Sequence, residues 1–179
     1  MTERAGTGAG VASGHVDQQL EEFMKTTAKR ISFVLAATLA AGSAFAASHA
    51  MEQQEAREAL MKEMGKNLGT LGKMAKGEID FDGAAASAAA TALHEAAEKA
   101  LADDMWSEDS DSMSVDGSRA MPEIWDNYAD FQEKGATLIA AIESAQAATG
   151  EGLQAVQASM GDLGGACGGC HKVYRAPEE

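Results

Sequence analysis

The feature that most constrains this chain is an apolar repeat near its C-terminus. The repeat comprises Leu153, Val156, Met160, Leu163, Cys167, Cys170 and Tyr174, at alternating steps of three and four residues. Such spacing places every member on one face of an α-helix. A sustained repeat of this kind is typical of helices that cross at about +20° in left-handed bundles. The segment is therefore predicted to be a bundle helix whose apolar face leads into two cysteines.

Three further segments carry helical patterns, separated by turn or loop signals. Apolar residues recur at steps of three and four in the first and third, and the second is rich in alanine, which favours helix. The predicted helices are 50–76, 82–104, 122–149 and the C-terminal one, with breaks at Gly77, the acidic, serine-rich loop 105–120 and Gly150–Gly152. Mostly short connections favour antiparallel neighbours. The predicted fold is all-α, an antiparallel left-handed four-helix bundle.

The charge of the chain excludes one class of partner. The formal net charge is −14 at pH 7. Nucleic-acid binding draws its affinity from basic side chains that neutralise phosphates, so no nucleic-acid partner is expected. An acidic surface suits a soluble protein that meets basic or neutral proteins.

The N-terminal region has the pattern of an export signal. Basic residues from Lys25 to Arg30 precede the apolar run Ile31–Ala41, and Ala44-Phe45-Ala46 matches a small-residue cleavage site. We predict cleavage near Ala46 and export to the periplasm. The alternative is an uncleaved membrane anchor, although the run is short for a transmembrane helix.

These boundaries divide the chain into three parts. A leader normally starts near its own methionine, and Met24 immediately precedes Lys25. Residues 1–23 are accordingly interpreted as an extension from a start site assigned too early, or as a disordered extension. Residues 24–46 form the predicted cleavable signal, and 47–179 the mature domain.

The sequence Cys167-Gly-Gly-Cys170-His171 carries the chemistry. Two cysteines at i and i+3 on a helix point the same way, so both sulfurs can bond one edge of a porphyrin while the histidine binds its iron. A zinc site would need four ligands, and only His49 and His94 are other histidines in the predicted mature domain. A thioredoxin-like pair would sit in a βαβ context, which is missing here. A simple disulfide is the remaining alternative to one covalent haem c.

Several stretches together resemble the cytochrome c′ family, over most of the predicted mature domain. They are Arg-Glu-Ala-Leu-Met-Lys at 57–62, Lys-Gly-Glu-Ile-Asp-Phe-Asp at 76–82, Pro-Glu-Ile-Trp at 122–125 and Cys-Gly-Gly-Cys-His-Lys-Val-Tyr-Arg at 167–175. The cytochromes c′ are themselves standard examples of the four-helix bundle. The acidic, serine-rich loop before Pro122 departs from the shorter segment usual in the family.

The resemblance implies roles for individual residues. Thioether links are expected at Cys167 and Cys170, with His171 as the proximal iron ligand. Arg57 corresponds to a first-helix arginine near a haem propionate, and Arg175 to a basic residue beside the proximal pocket. For both arginines the alternative is a solvated surface charge.

Met61 falls at the position that faces the other side of the iron. In low-spin relatives a methionine here binds the iron, which raises the reduction potential and suits electron transfer. In typical members an apolar side chain blocks the site without bonding, leaving five-coordinate iron that admits NO or CO. Leu60 or Met64 could take the same position, and Met61 could simply fill the core.

The function predicted from these features is electron transfer in the periplasm, with other redox proteins as partners. The alternative is a five-coordinate haem protein that sequesters or carries NO or CO. Enzymatic activity such as peroxidation is not expected, because the first helix offers no histidine as a distal acid–base group. Family members often pair through their first two helices, so a homodimer is expected.

Overall fold

Four long helices make up most of residues 47–177, the part of the chain that the computed structural model describes. Helix α1 covers residues 47–76, α2 Gly83–Ala100, α4 Tyr128–Thr149 and α5 Leu153–Tyr174, and a short helix α3 covers Glu123–Asp126. Within residues 47–177 there is no β-strand, only an isolated bridge between Ala120 and Arg175. The predicted all-α four-helix bundle is confirmed. The predicted segments 1–23 and 24–46 lie outside the described residues.

The turn between α1 and α2 follows the predicted signals. Gly77 adopts a φ of 72°, a left-handed conformation that ends a helix readily in glycine. The carboxylate of Asp82 accepts a hydrogen bond from the Ala85 N–H at 3.0 Å and so caps the first turn of α2. Both boundaries are local, so they could be predicted from sequence.

Helix α2 ends earlier than predicted, at Ala100 rather than near Asp104. The indole Nε1 of Trp106 donates to the Ala100 carbonyl at 2.8 Å, which satisfies one carbonyl left open at the helix end. Beyond this point, residues 101–122 run as a loop with two short 3₁₀ turns, Asp103–Met105 and Glu108–Ser110.

The third predicted helix is in fact two helices. Asn127 has φ −129° and ψ 43°, outside the helical region, and it separates α3 from α4. The break lets Ile124 turn into a separate cluster beside Phe131. The predicted C-terminal end at Thr149 is confirmed.

The core consists of two clusters. The main cluster joins the four long helices, and α2 contributes mostly alanines, which permit close approach. Its fully buried leucines include Leu71, Leu93 and Leu163, each worth roughly 1.5–3 kcal/mol of burial. A second, aromatic cluster lies where α3, α4 and the end of α5 meet, around Ile124, Phe131 and Tyr174.

No helix in the described range is apolar over a length that would cross a membrane.

Candidate haem site

The two cysteines lie on α5 at the junction of the two clusters. Both are free thiols and half-buried. Cys167 packs against the main cluster, and Cys170 packs against the aromatic cluster. Burial raises the pKa of both thiols above the ordinary value. The structure therefore presents two unpaired thiols one helical turn apart, which is the spacing on which the haem prediction rests.

His171 follows directly and is also half-buried. Burial lowers the pKa of the imidazole, and the positive charges of Arg175 and Arg119 lower it further. A neutral imidazole has a free electron pair on one ring nitrogen and can bind a metal through it. The environment of His171 thus favours the protonation state that an iron ligand needs.

The glycines near the two cysteines leave space beside α5. A Cβ added at Gly164, Gly165, Gly168 or Gly169 would meet no atom of a neighbouring element within 4 Å. A groove of about 610 Å³ runs between α4 and α5 and reaches Gly169 and Cys170. The groove that reaches Cys170 and the small glycines next to both cysteines leave room for a flat group beside this part of α5.

The other histidines are engaged elsewhere. His49 hydrogen-bonds Gln53 on its own helix, and His94 lies between Glu98 and Glu143 at 3.5 and 3.8 Å. Within residues 47–177, no three His, Cys, Asp or Glu side chains are grouped to hold a metal ion. The zinc alternative therefore gains no support from the described residues.

Met61 is the predicted distal residue. It is half-buried on α1 and packs against the main cluster, as Cys167 does from α5. Leu60 shares this environment, whereas Met64 is 6% exposed and belongs to the buried core itself. The structure thus brings Met61 and Cys167 to the same cluster, and the iron-ligand role of Met61 stays a prediction.

The two predicted haem-associated arginines differ in their exposure to solvent. Arg57 is 5% exposed, and its guanidinium donates to the carbonyls of Met105 and Ser110 and to the Ser110 hydroxyl. These bonds use three of its five N–H groups, so the predicted propionate contact is not in conflict with them. Arg175 is exposed just after α5, and its charge acts on His171.

Sequence inspection missed how closely the aromatic residues are joined around Cys170. The Phe131 ring lies 4.6 Å from Trp106 and 5.6 Å from Tyr174, edge to face in both cases. Trp125 donates to the Trp106 carbonyl at 3.1 Å. The apolar repeat of α5 indicated that Tyr174 is buried, but nothing local indicated that Trp106 joins this cluster from the loop.

Comparison with known proteins identifies the family. A family model described as Cytochrome C′ matches residues 52–175. The chain belongs to the cytochrome c′ family. The cytochrome resembles cytochrome c-556 of Agrobacterium tumefaciens (strain apple 185), with 40% identity over 70% of this chain and 95% of the relative. It also resembles cytochrome c-554 of Cereibacter sphaeroides, with 38% identity over 68% of this chain and 78% of the relative.

A solved structure agrees with this assignment. The cytochrome superposes on the cytochrome c′ of Rhodobacter spheriodes with a TM-score of 0.67 and 31% identity, over 72% of this chain and 98% of the other. Membership of this family means that the cytochrome carries covalently attached c-type haem and its iron. The free thiols, the neutral imidazole and the open space beside them fit that group.

Proposed function

We propose that the cytochrome is a periplasmic electron carrier. Cys167 and Cys170 would hold one haem covalently, and His171 and Met61 would be the protein ligands of its iron. The observation that carries the proposal is the shared packing of Met61 and Cys167 against one cluster, from two different helices. A thioether held at that place is a soft ligand suited to iron.

The surroundings of Met61 favour redox chemistry over substrate chemistry. The charged neighbours Glu58 and Lys62 are exposed and pair with each other, so they do not provide an acid–base group beside the cluster. Haem supplies a one-electron couple, whose potential depends on axial ligands and burial. Met61 and Cys167 are half-buried against an apolar core, which limits the access of water from that side. Ligands oriented in this way support electron transfer to redox partner proteins.

A second candidate function is the binding of NO or CO. Leu60 packs in the same cluster as Met61. An apolar side chain there would block the distal site without bonding, and a small diatomic ligand could displace it. In this case Met61 is a packing residue, in line with the irregular gaps that methionine fills.

The visible spectrum of the purified protein tests the two candidates. Met61→Ala should convert a low-spin spectrum to a high-spin one, because the sulfur ligand is lost. Met51→Ala is the matched control, since Met51 is on the same helix and 54% exposed. A high-spin wild type that Met61→Ala leaves unchanged, and that binds NO stoichiometrically, would favour the gas-binding function.

Export is tested separately. Cell fractionation should place the haem protein in the periplasm, and N-terminal sequencing should begin directly after Ala46. The acidic surface, with a net charge of −14, would then meet basic or neutral partners. A mature protein that retains residues 24–46 and sediments with membranes would support the anchor instead.

A further inference from the structure

The loop 101–122 binds α1 through two side chains one turn apart. The Gln53 side chain donates to the Asp104 carbonyl and accepts from the Ser107 N–H and hydroxyl. The Arg57 guanidinium donates to the Met105 carbonyl at 2.6 Å and to the Ser110 hydroxyl and carbonyl at 2.8 and 2.7 Å. The loop is therefore fixed to the helix that carries Met61.

Arg57, which anchors the loop to α1, is buried and surrounded by groups that hold its guanidinium in place. Ser110 is fully buried, and the guanidinium carbon lies 4.8 Å from the centre of the Trp106 ring. All three acceptors are neutral oxygens, and burial lowers the pKa of the guanidinium. Hydrogen bonds from a charged donor to buried acceptors are among the stronger ones in proteins, so this contact is a firm anchor.

The other end of the loop binds the segment that follows α5. The Arg119 side chain donates twice to the Ala176 carbonyl, at 2.9 and 2.7 Å. The Ala176 N–H donates to the Arg119 carbonyl, and the Met121 N–H donates to the Tyr174 carbonyl at 3.0 Å. This segment begins at Arg175, four residues after His171.

Hydrogen bonds within the loop connect the two anchors. The Ser110 carbonyl accepts from both Arg57 and the Ser118 hydroxyl. The Ser112 N–H donates to the Ala120 carbonyl at 2.8 Å. A continuous series of bonds thus runs from α1 through the loop to the end of α5.

We propose that residues 101–122 form a strap that holds α1 against the end of α5, and that Arg57 is the positioning residue of this strap. Met61 lies one turn after Arg57 on the same face of α1. His171 lies one turn before Arg175, and the strap is bonded to the residues on either side of Arg175, Tyr174 and Ala176. The strap therefore sets the position of the distal side chain relative to the proximal one. This inference rests on the proposed function in assigning Met61 to the distal side.

The test compares Arg57→Met with Lys62→Met in the haem-loaded protein. Both changes remove a cation from α1, but Lys62 is exposed and pairs with Glu58 on its own helix. In Arg57→Met, amide hydrogen exchange at 119–121 and 174–176 should rise about tenfold, because the loop loses the hydrogen bonds that hold it to α1. Binding of CO to the reduced protein should accelerate severalfold. Lys62→Met should change neither quantity.

Two milder variants test the same contact in case Arg57→Met does not fold. Arg57→Lys keeps the charge but lacks the planar guanidinium whose two terminal nitrogens donate to Met105 and Ser110, so its exchange should lie between wild type and Arg57→Met. Ser110→Ala should also raise amide exchange, by a smaller factor than Arg57→Met. If amide exchange rises only at 102–112, the loop does not transmit the change to the end of α5, and the strap proposal is wrong. If exchange rises throughout the protein while the rate of CO binding is unchanged, the strap does not position Met61. The exchange readout does not depend on whether Met61 bonds the iron, which Met61→Ala reports separately.

Discussion

The phenol of Tyr174 donates a hydrogen bond to the carboxylate of Asp130, joining the last turn of α5 to the first turn of α4. Burial, and then this bond, raise the pKa of Tyr174 from 10.0 to about 12. The same bond is the largest cause that lowers the pKa of Asp130. Tyr174 also packs in the cluster that contacts Cys170, so the bond supports the side of the site away from the main core.

Tyr174→Phe should reduce the free energy of unfolding at pH 7 by roughly 1 kcal/mol, the usual net value of one hydrogen bond. The wild type should also lose stability between pH 10 and about 12, because the phenol ionises in the unfolded chain before it does in the folded one. The variant should lose the Tyr174 part of this dependence. Denaturant unfolding at pH 7, 10 and 11.5 measures both effects.

The free energy of unfolding at acidic pH provides a second test of the Tyr174–Asp130 hydrogen bond. The lowered pKa of Asp130 contributes stability above its ordinary pKa, and this is lost as the pH falls through the folded value. Tyr174→Phe should weaken that acid-induced loss. Identical profiles for the two proteins from pH 2 to 12 would contradict the assigned role of the bond.

Replacing the cysteines should separate covalent attachment from iron binding. Cys167→Ala or Cys170→Ala alone should keep the haem through acid acetone extraction, since one thioether remains, whereas the double variant should release it. His171→Ala should retain the covalent haem but show an altered spectrum, because the proximal ligand is missing. Haem retained after extraction of the double variant would show that attachment lies elsewhere.

Two glycines should respond differently to alanine. A Cβ at Gly135 would lie 3.1 Å from Leu101 Cδ2, so crowding should offset the helix propensity gained, and Gly135→Ala should be about 1 kcal/mol or more less favourable than Gly69→Ala. A Cβ at Gly69 would meet nothing within 4 Å, so Gly69→Ala should stabilise α1 by about 0.5–1 kcal/mol. Thermal unfolding of the two variants measures the difference. Equal shifts in both would mean that local packing does not decide the outcome.

The homodimer expected from the family resemblance can be tested on α2. Ala84 and Ala88 lie on its exposed face, opposite the alanines in the core. Ala88→Glu should abolish association, because a buried, unpaired carboxylate at an interface is strongly unfavourable, while Ala88→Ser should leave it intact. Sedimentation equilibrium measures both variants. A wild-type protein that is monomeric at high micromolar concentration would contradict the predicted homodimer.

The local features of this protein were predictable from sequence because each rests on contacts between near neighbours. The repeat from Leu153 to Tyr174 indicated the buried face of α5, and Gly77 and Asp82 marked the turn before α2. The cysteine–histidine spacing indicated haem attachment, since i and i+3 positions share a helix face whatever the rest of the fold.

The tertiary structure alone decided the course of the acidic loop and the environment of Arg57. Ser110 and Met105 are about fifty residues from Arg57 in sequence, and nothing in their spacing indicates a partner on α1. The same holds for the early end of α2, where Trp106 bonds Ala100, and for the break at Asn127. Helix periodicity reports which face is buried, whereas these features depend on long-range hydrogen bonds that form only when the helices are assembled.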